Sequence, residues 1–383
     1  MTNENKSLYF DCSATTKPYP EVLKTFEQVS VDDFANASST HALGYQASNL
    51  LAKARSQVAK YLGVLPEEVI FDSGATEGNN LAIKGVAYHN KSWAKRIITT
   101  KAEHASVLEV FKELENEGFD VIYLDYDENG LLNLAELKKA LNEETSLVSV
   151  MAVNNETGYI FPIKEIYQLV HQNSKALLHV DATQAIGKED VDPNCFDLLT
   201  FSGHKIGGLK GSGVLVKKKN VVLKDLMIGG GQEFNLRSGT TPLGLDCSIA
   251  TALRITMKTL PERKANVIKL NAYLRKELSS IKEVVITSPE NATPFILNFS
   301  LTEHKGSVIA EALSNAGIYV STKSACSSHE PGVSYVLKNA GYSDTIAHNS
   351  IRLSFSGTET IADGKDFIET LKEILSVIKV KDN

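Results

Sequence analysis

The feature that most constrains this chain is an alternation. Between residues 96 and 216 the apolar strand candidates RIITT, VIYLDYD, LVSVMAV, ALLHVDA, DLLTF and GVLV are separated by amphipathic helical patterns. A helix between two strands carries the chain back across one face of a sheet. The segment therefore predicts a doubly wound, mainly parallel sheet. HASVLEVFKELENEG places Val107, Phe111 and Leu114 on one helical face; NLAELKKAL opens on Asn133 as an N-cap with Glu136 three residues on; Pro162 can open PIKEIYQLVHQN. From about residue 255 the pattern changes to a long charged helix, KTLPERKANVIKLNAYLRKELSSI, followed by short strands and helices. With 383 residues to bury, the expectation is two domains, the second a smaller α+β unit.

The polar residues fall in register with the strands. After RIITT comes KAEHAS with His104; after LVSVMAV comes NNETG with Asn154, Asn155 and Glu156; after LLHV comes DATQ with Asp181 and Gln184; after DLLTF comes SGHK with Ser202, Gly203, His204 and Lys205. Ligands of open α/β sheets bind outside the carboxyl ends of the strands, so these clusters predict one site. VIFDSGATEGNNLAIKG runs from a strand through small residues into a helix, so the amides near Gly74, Ala75 and Thr76 offer a phosphate cradle.

Taken singly, these residues keep alternatives open. Lys205 is a solvated surface charge or, on a tight turn at the end of a buried strand, an amine able to form a Schiff base with an aldehyde. Asp181 caps the segment ATQAIG or is a carboxylate paired with the protonated pyridine nitrogen of pyridoxal phosphate. His104 starts a helix or faces a cofactor and transfers protons. Asp and Lys on successive strand ends, with a phosphate turn upstream, specify a pyridoxal phosphate site better than either alone. The four cysteines, Cys12, Cys195, Cys247 and Cys326, show no paired spacing and fit reduced thiols. The first three read as small core residues, whereas Cys326, in the Ser-rich stretch VSTKSACSSHEPGVSY, is an inert surface thiol or a nucleophile helped by Lys323 or His329.

The chain carries 40 basic against 46 acidic residues, a net charge of −6, and no basic block, so direct nucleic-acid binding and an anionic membrane surface are not expected. MTNENKSLYF lacks the basic and apolar parts of a leader, and no run approaches a membrane span, so the expected location is cytoplasmic.

Together, YFDCSATT, SGATEGNNLAIKG, AEHASV, VNNETG, HVDATQAIG, SGHKIGGLKGSG, GGGQEFNLRSGT, VSTKSACSS and HNSIRLSF resemble the pyridoxal phosphate-dependent cysteine desulfurases, the NifS/IscS-like branch of the class V aminotransferases, over nearly the whole chain. The resemblance implies a fold-type I enzyme and a homodimer with active sites at the interface. Its large cofactor-binding domain spans 13–257, and a small domain of 1–12 and 258–383 carries the cysteine loop. By motif, Lys205 holds the cofactor, Asp181 pairs with the ring nitrogen, Gln184 bonds the ring hydroxyl, and His104 stacks on the ring and acts as acid and base. Ala75, Thr76, Ser202, Gly203 and His204 match the phosphate cradle, with Thr240 reaching in from the other subunit, while Asn155 and Arg352 hold the substrate. L-cysteine would give alanine and a persulfide on Cys326, passed to a sulfur acceptor, either an iron–sulfur scaffold or a tRNA sulfurtransferase. Lys323, Gly207, Leu209, Phe234 and Asn235 depart from the branch's usual residues, as does SFSGTET. The chain ends at Asn383 without the tail of iron–sulfur-assembly members, which turns the expectation toward a tRNA-thiolation acceptor. A selenocysteine lyase or aminotransferase, a nicotinamide enzyme using GGLKGSG, and a non-catalytic sulfur relay are the competing readings; the last glycine run does not follow GxGxxG.

Overall fold

The computed structural model describes residues 7–126, 131–322 and 333–378. After a two-residue strand β1 (Leu8–Tyr9), seven strands form the main sheet: β2 (Val69–Asp72), β3 (Arg96–Thr100), β4 (Asp120–Leu124), β5 (Thr145–Met151), β6 (Leu177–Asp181), β7 (Leu198–Ser202) and β8 (Gly213–Lys217). Their spatial order is β2, β8, β7, β6, β5, β3, β4. β8 alone runs against the rest, since it is antiparallel to both β7 and β2 while the other pairs are parallel. The link between β7 and β8 is too short for a crossover helix, so the chain must reverse there. The consequence is that β2 points the same way as the parallel strands, and all their carboxyl ends share one edge.

Helices cover both faces. Val58, Val150, Val180, Phe201 and Leu253 belong to the core on one side, beneath the helices Ala42–Leu62, Ile163–Asn173 and the first half of Leu243–Ser279. Ile83, Phe111, Leu147 and Leu198 belong to the core on the other side, beneath Ala75–Asn90 and Ala105–Asn116. The predicted N-cap Asn133 accepts from Glu136 N, and Pro162 stands at the start of Ile163–Asn173.

A three-stranded antiparallel sheet follows, built from β9 (Val284–Ile286), β10 (Ile296–Leu301) and, after β11 (Ile318–Tyr319) has paired with β1, the strand β12 (Ser350–Ser354). Phe10, Leu270, Leu274, Phe299 and Phe367 build its separate core. The long helix begins earlier than the charge pattern suggests, at Leu243, and runs 37 residues with Pro261 inside it. Its apolar residues divide on either side of that proline: Ile249 and Leu253 pack with the main sheet, Val267 and Leu278 with the small one. Among the described residues, no helix is long and apolar enough to cross a membrane.

Candidate active site

At the shared edge of the main sheet lies a cavity of about 260 Å³ whose walls include Ala75, Thr76, His104, Asn155, Asp181, Gln184, Ser202, His204, Lys205 and Arg352. The strand ends thus bring together ten of the residues singled out in the sequence. β7 ends at Ser202 and turns at once through a single 3₁₀ turn, Gly203–Lys205. That turn aims the Lys205 side chain back along the sheet edge, where Nζ donates to Ser13 O at 2.5 Å and Ala14 O at 2.7 Å. Gly203 serves the turn by its size: its N–H is spent on Ser212 O at 2.8 Å, and a Cβ there would meet Ser212 Oγ at 2.3 Å.

On the neighbouring strand Asp181 is buried and lines the cavity, and its capping role is seen directly. Oδ1 accepts from Thr183 N at 3.0 Å, closing the turn that follows, while Oδ2 accepts from Asn79 Nδ2 at 2.9 Å. His104 likewise caps the helix Ala105–Asn116 and lines the cavity. Its Nδ1 accepts from Ser106 N at 3.2 Å. The remaining proton of a neutral ring is therefore on Nε2, and burial holds the ring below the usual histidine range.

The mouth between β2 and the helix Ala75–Asn90 is a helix N-terminus. Gly74 adopts φ 143° there, and Ala75 N donates to Ser202 Oγ at 2.8 Å, joining the two candidate phosphate-binding turns. His204 Nδ1 lies 3.2 Å from Thr15 Oγ1, and burial together with Lys205 pushes its ring down to about 4.

Arg352 comes from β12 of the small sheet. Nη1 donates to Asn155 O at 2.8 Å and Nη2 to Asp11 Oδ1 at 2.7 Å. Gln184 Nε2 donates to Ser13 O at 3.0 Å, and its Oε1 accepts from the buried Lys188 Nζ. Asn154, beside Asn155, is structural: its Oδ1 accepts from Glu156 N and Thr157 N and so builds the turn. Thr240 is exposed and stands outside the cavity of its own chain. Cys326 and Lys323 lie outside the described residues. Cys12, Cys195 and Cys247 are free and buried.

The set fits a phosphorylated pyridine aldehyde. It offers an amine, a buried carboxylate and a helix N-terminus flanked by a hydroxyl. Thr183 Oγ1, Asn155 Oδ1 and Arg352 Nε, all on cavity-lining residues, have no hydrogen-bond partner among the described residues. Such orphans at a cavity wall are what a polar ligand satisfies. The reading of the sequence missed Asn79, Ser106, Thr183 and Lys188. Asn79 lies inside a motif it quoted, and only its contact with Asp181 reveals its part.

The aminotransferase class-V family model matches residues 8–367. A NifS/IcsS protein homolog of Lactobacillus delbrueckii subsp. bulgaricus is 41% identical over 372 residues, covering 96% of this chain and 97% of the relative. The cysteine desulfurase IscS of Pectobacterium carotovorum is 39% identical over 380 residues, covering 97% of this chain and 93% of the relative. A solved NifS-like protein superposes with a TM-score of 0.92 at 37% identity, over 97% of this chain and all of that one.

Proposed function

Since the chain belongs to the class V aminotransferases and is a pyridoxal phosphate-dependent cysteine desulfurase of the NifS/IscS kind, we propose that Lys205, Asp181, His104 and Arg352 carry its chemistry, with Cys326 as sulfur acceptor. The observation that carries this assignment is convergence: Lys205, Asp181 and His104 from three strand ends of one sheet, and Arg352 from another, line a single cavity. Bound pyridoxal phosphate supplies an electron sink for charge developing on the substrate carbon.

The chain supplies the rest. Lys205 Nζ holds the cofactor aldehyde and exchanges protons. Asp181, kept in place by Asn79, fixes a proton on the ring nitrogen, and Gln184 orients the ring hydroxyl. Ala75, Thr76, Ser202 and His204 receive the phosphate, with Gly203 shaping the turn and Thr240 reaching across from a second copy in a homodimer. Nε2 of His104, at the start of the helix that follows β3, offers a proton. Asn155 and Arg352 hold the cysteine substrate, Arg352 through its carboxylate. In the sulfur step, the Cβ–S bond of L-cysteine breaks as an S–S bond to Cys326 forms; carbon takes up the proton, and the products are alanine and a persulfide. Water plays no part in that balance.

The sulfur then passes to an acceptor protein, for which a tRNA sulfurtransferase is proposed over an iron–sulfur scaffold. The same reading divides the chain into a large unit, 13–257, and a small one, 1–12 with 258–383, and keeps it in the cytoplasm. The deciding experiment is peptide mapping by mass spectrometry after incubation with L-cysteine. Alanine with a persulfide on Cys326, lost in Cys326→Ala and Lys205→Ala, is expected. Alanine without protein-bound sulfur would indicate a lyase instead.

A further inference from the structure

Behind the cavity runs a line of buried polar side chains, and we propose that it is a one-way relay of hydrogen bonds, centred on Asn79, that holds Asp181 and His104 in working orientation; the proposal rests on the roles given to those two residues above. Its direction can be read from the donors. Ser106 N–H donates to His104 Nδ1, so that nitrogen bears a lone pair, and the Ser106 hydroxyl 2.9 Å away also donates to it. Ser106 Oγ in turn accepts from Asn79 Nδ2 at 2.9 Å, and the second N–H of the same amide goes to Asp181 Oδ2, also at 2.9 Å. Both protons of Asn79 thus serve the active site.

The amide oxygen must then face the other way, and it accepts from Thr200 Oγ1 at 2.5 Å. With that hydroxyl proton spent, the contact of Thr200 Oγ1 with His179 Nε2 at 3.3 Å has the ring as donor. His179 Nδ1 is left to accept from Ser149 Oγ at 2.8 Å. Burial pushes His179 down to about 4, so the ring is neutral and carries the single N–H that the arrangement requires.

The four residues behind the site, Ser149, His179, Thr200 and Asn79, are each 0% exposed. Ser149 and His179 are cross-strand partners on β5 and β6, and Thr200 is in register with Asp181 on β7. Unpaired hydroxyl and imidazole groups at that depth are costly, and a chain of them is tolerated only if every member is satisfied. A flipped Asn79 would set its oxygen against the Asp181 carboxylate, two acceptors facing each other. Thr200 prevents the flip by donating to that oxygen, so it acts as a positioning residue two contacts from Asp181.

The test compares Thr200→Val, which keeps the shape and removes the hydroxyl, with Thr200→Ser, which keeps the hydroxyl. The readouts are the pyridoxal phosphate dissociation constant, by absorbance titration of the apoprotein, and steady-state turnover of L-cysteine. Thr200→Val is expected to weaken cofactor binding about tenfold, and Thr200→Ser to stay within about twofold of the parent. Parent-like binding and turnover in Thr200→Val, alongside impaired Asp181→Asn, overturns the relay and leaves the site assignment standing. Parent-like behaviour of Asp181→Asn overturns both. Should Thr200→Val not fold, Ser106→Ala decides, because it cuts only the branch to His104. Turnover several-fold lower with an unchanged dissociation constant supports the relay, and unchanged turnover overturns it.

Discussion

Arg352 is 3% exposed, yet its Nε has no partner among the described residues while both terminal nitrogens are engaged. A planar fork fixed on two sides presents its free edge in one direction only. Lysine cannot reproduce that geometry, so Arg352→Lys should lower kcat/KM for L-cysteine roughly 10- to 100-fold, chiefly through KM, as steady-state kinetics would show. Glu103, next to His104, makes a different prediction. It is fully buried, and burial pushes its carboxyl up to about 8. The folded state therefore keeps the proton while the unfolded chain releases it above about 4.5, so this group's contribution to stability is complete at low pH and is lost as pH rises toward 8. Glu103→Gln, which resembles the protonated form, should flatten the decline in melting temperature between pH 5 and 8.5 and melt higher than the parent at its upper end. Thermal unfolding across roughly that range checks it. At this scale Lys205, Asp181 and His104 were legible because each closes an apolar run. Ser149, His179 and Thr200 were not, since strands buried on both faces read as continuous apolar segments, and the single polar position in each looks incidental.

Among the elements, the segment Glu233–Asn235 carries an unusual load. Three consecutive non-glycine residues hold positive φ, 46°, 58° and 67°. L-residues resist that conformation, and here a buried ion pair enforces it: Glu233 accepts from Arg55 Nη1 at 2.7 Å and Nη2 at 2.6 Å, and from Phe71 N at 2.8 Å. The segment leads through the Arg237–Glu77 pair, at 2.9 Å beside the phosphate turn, to Thr240. Arg55→Met would strand the carboxylate and should destabilise by about 3–5 kcal/mol, with much of that loss recovered in Arg55→Met/Glu233→Gln; melting curves of the double-mutant cycle measure it. A second element-level case is the turn after Lys205. Gly207, where the family resemblance leads one to expect tyrosine, has φ 76°, and a Cβ there would lie 2.2 Å from Tyr19 Cε2. The ring of Tyr19 takes the space instead. Gly207→Ala should cost about 1 kcal/mol or more, and Tyr19→Ala should relieve only the part due to the clash, because the left-handed backbone remains.

For the whole molecule, the proposed homodimer makes a prediction that surface chemistry supports. Phe34 is 73% and Ile228 83% exposed, large apolar side chains that a lone chain would leave in water. Light scattering should give twice the chain mass of 41.7 kDa. Phe34→Glu with Ile228→Glu should yield a monomer that binds pyridoxal phosphate more weakly, because Thr240 would no longer reach a second cavity. A monomeric parent protein would reject the dimer and the role of Thr240 together.

The sequence by itself determined the parallel sheet, the edge at which the cavity lies and the residues at its strand ends, because alternation and punctuation are local properties that survive in one dimension. It placed the start of the long helix too late, since a charge pattern does not reveal that Ile249 and Leu253 pack on one core and Val267 and Leu278 on another. Only the tertiary structure decided that β8 runs backwards and so brings the turn after β2 to the same edge. It alone decided that Arg352 of the small sheet completes the cavity and that Asn79 stands between Asp181 and His104. Those are relations between residues up to hundreds of positions apart, fixed by which faces must be buried together. No single stretch of the chain contains them.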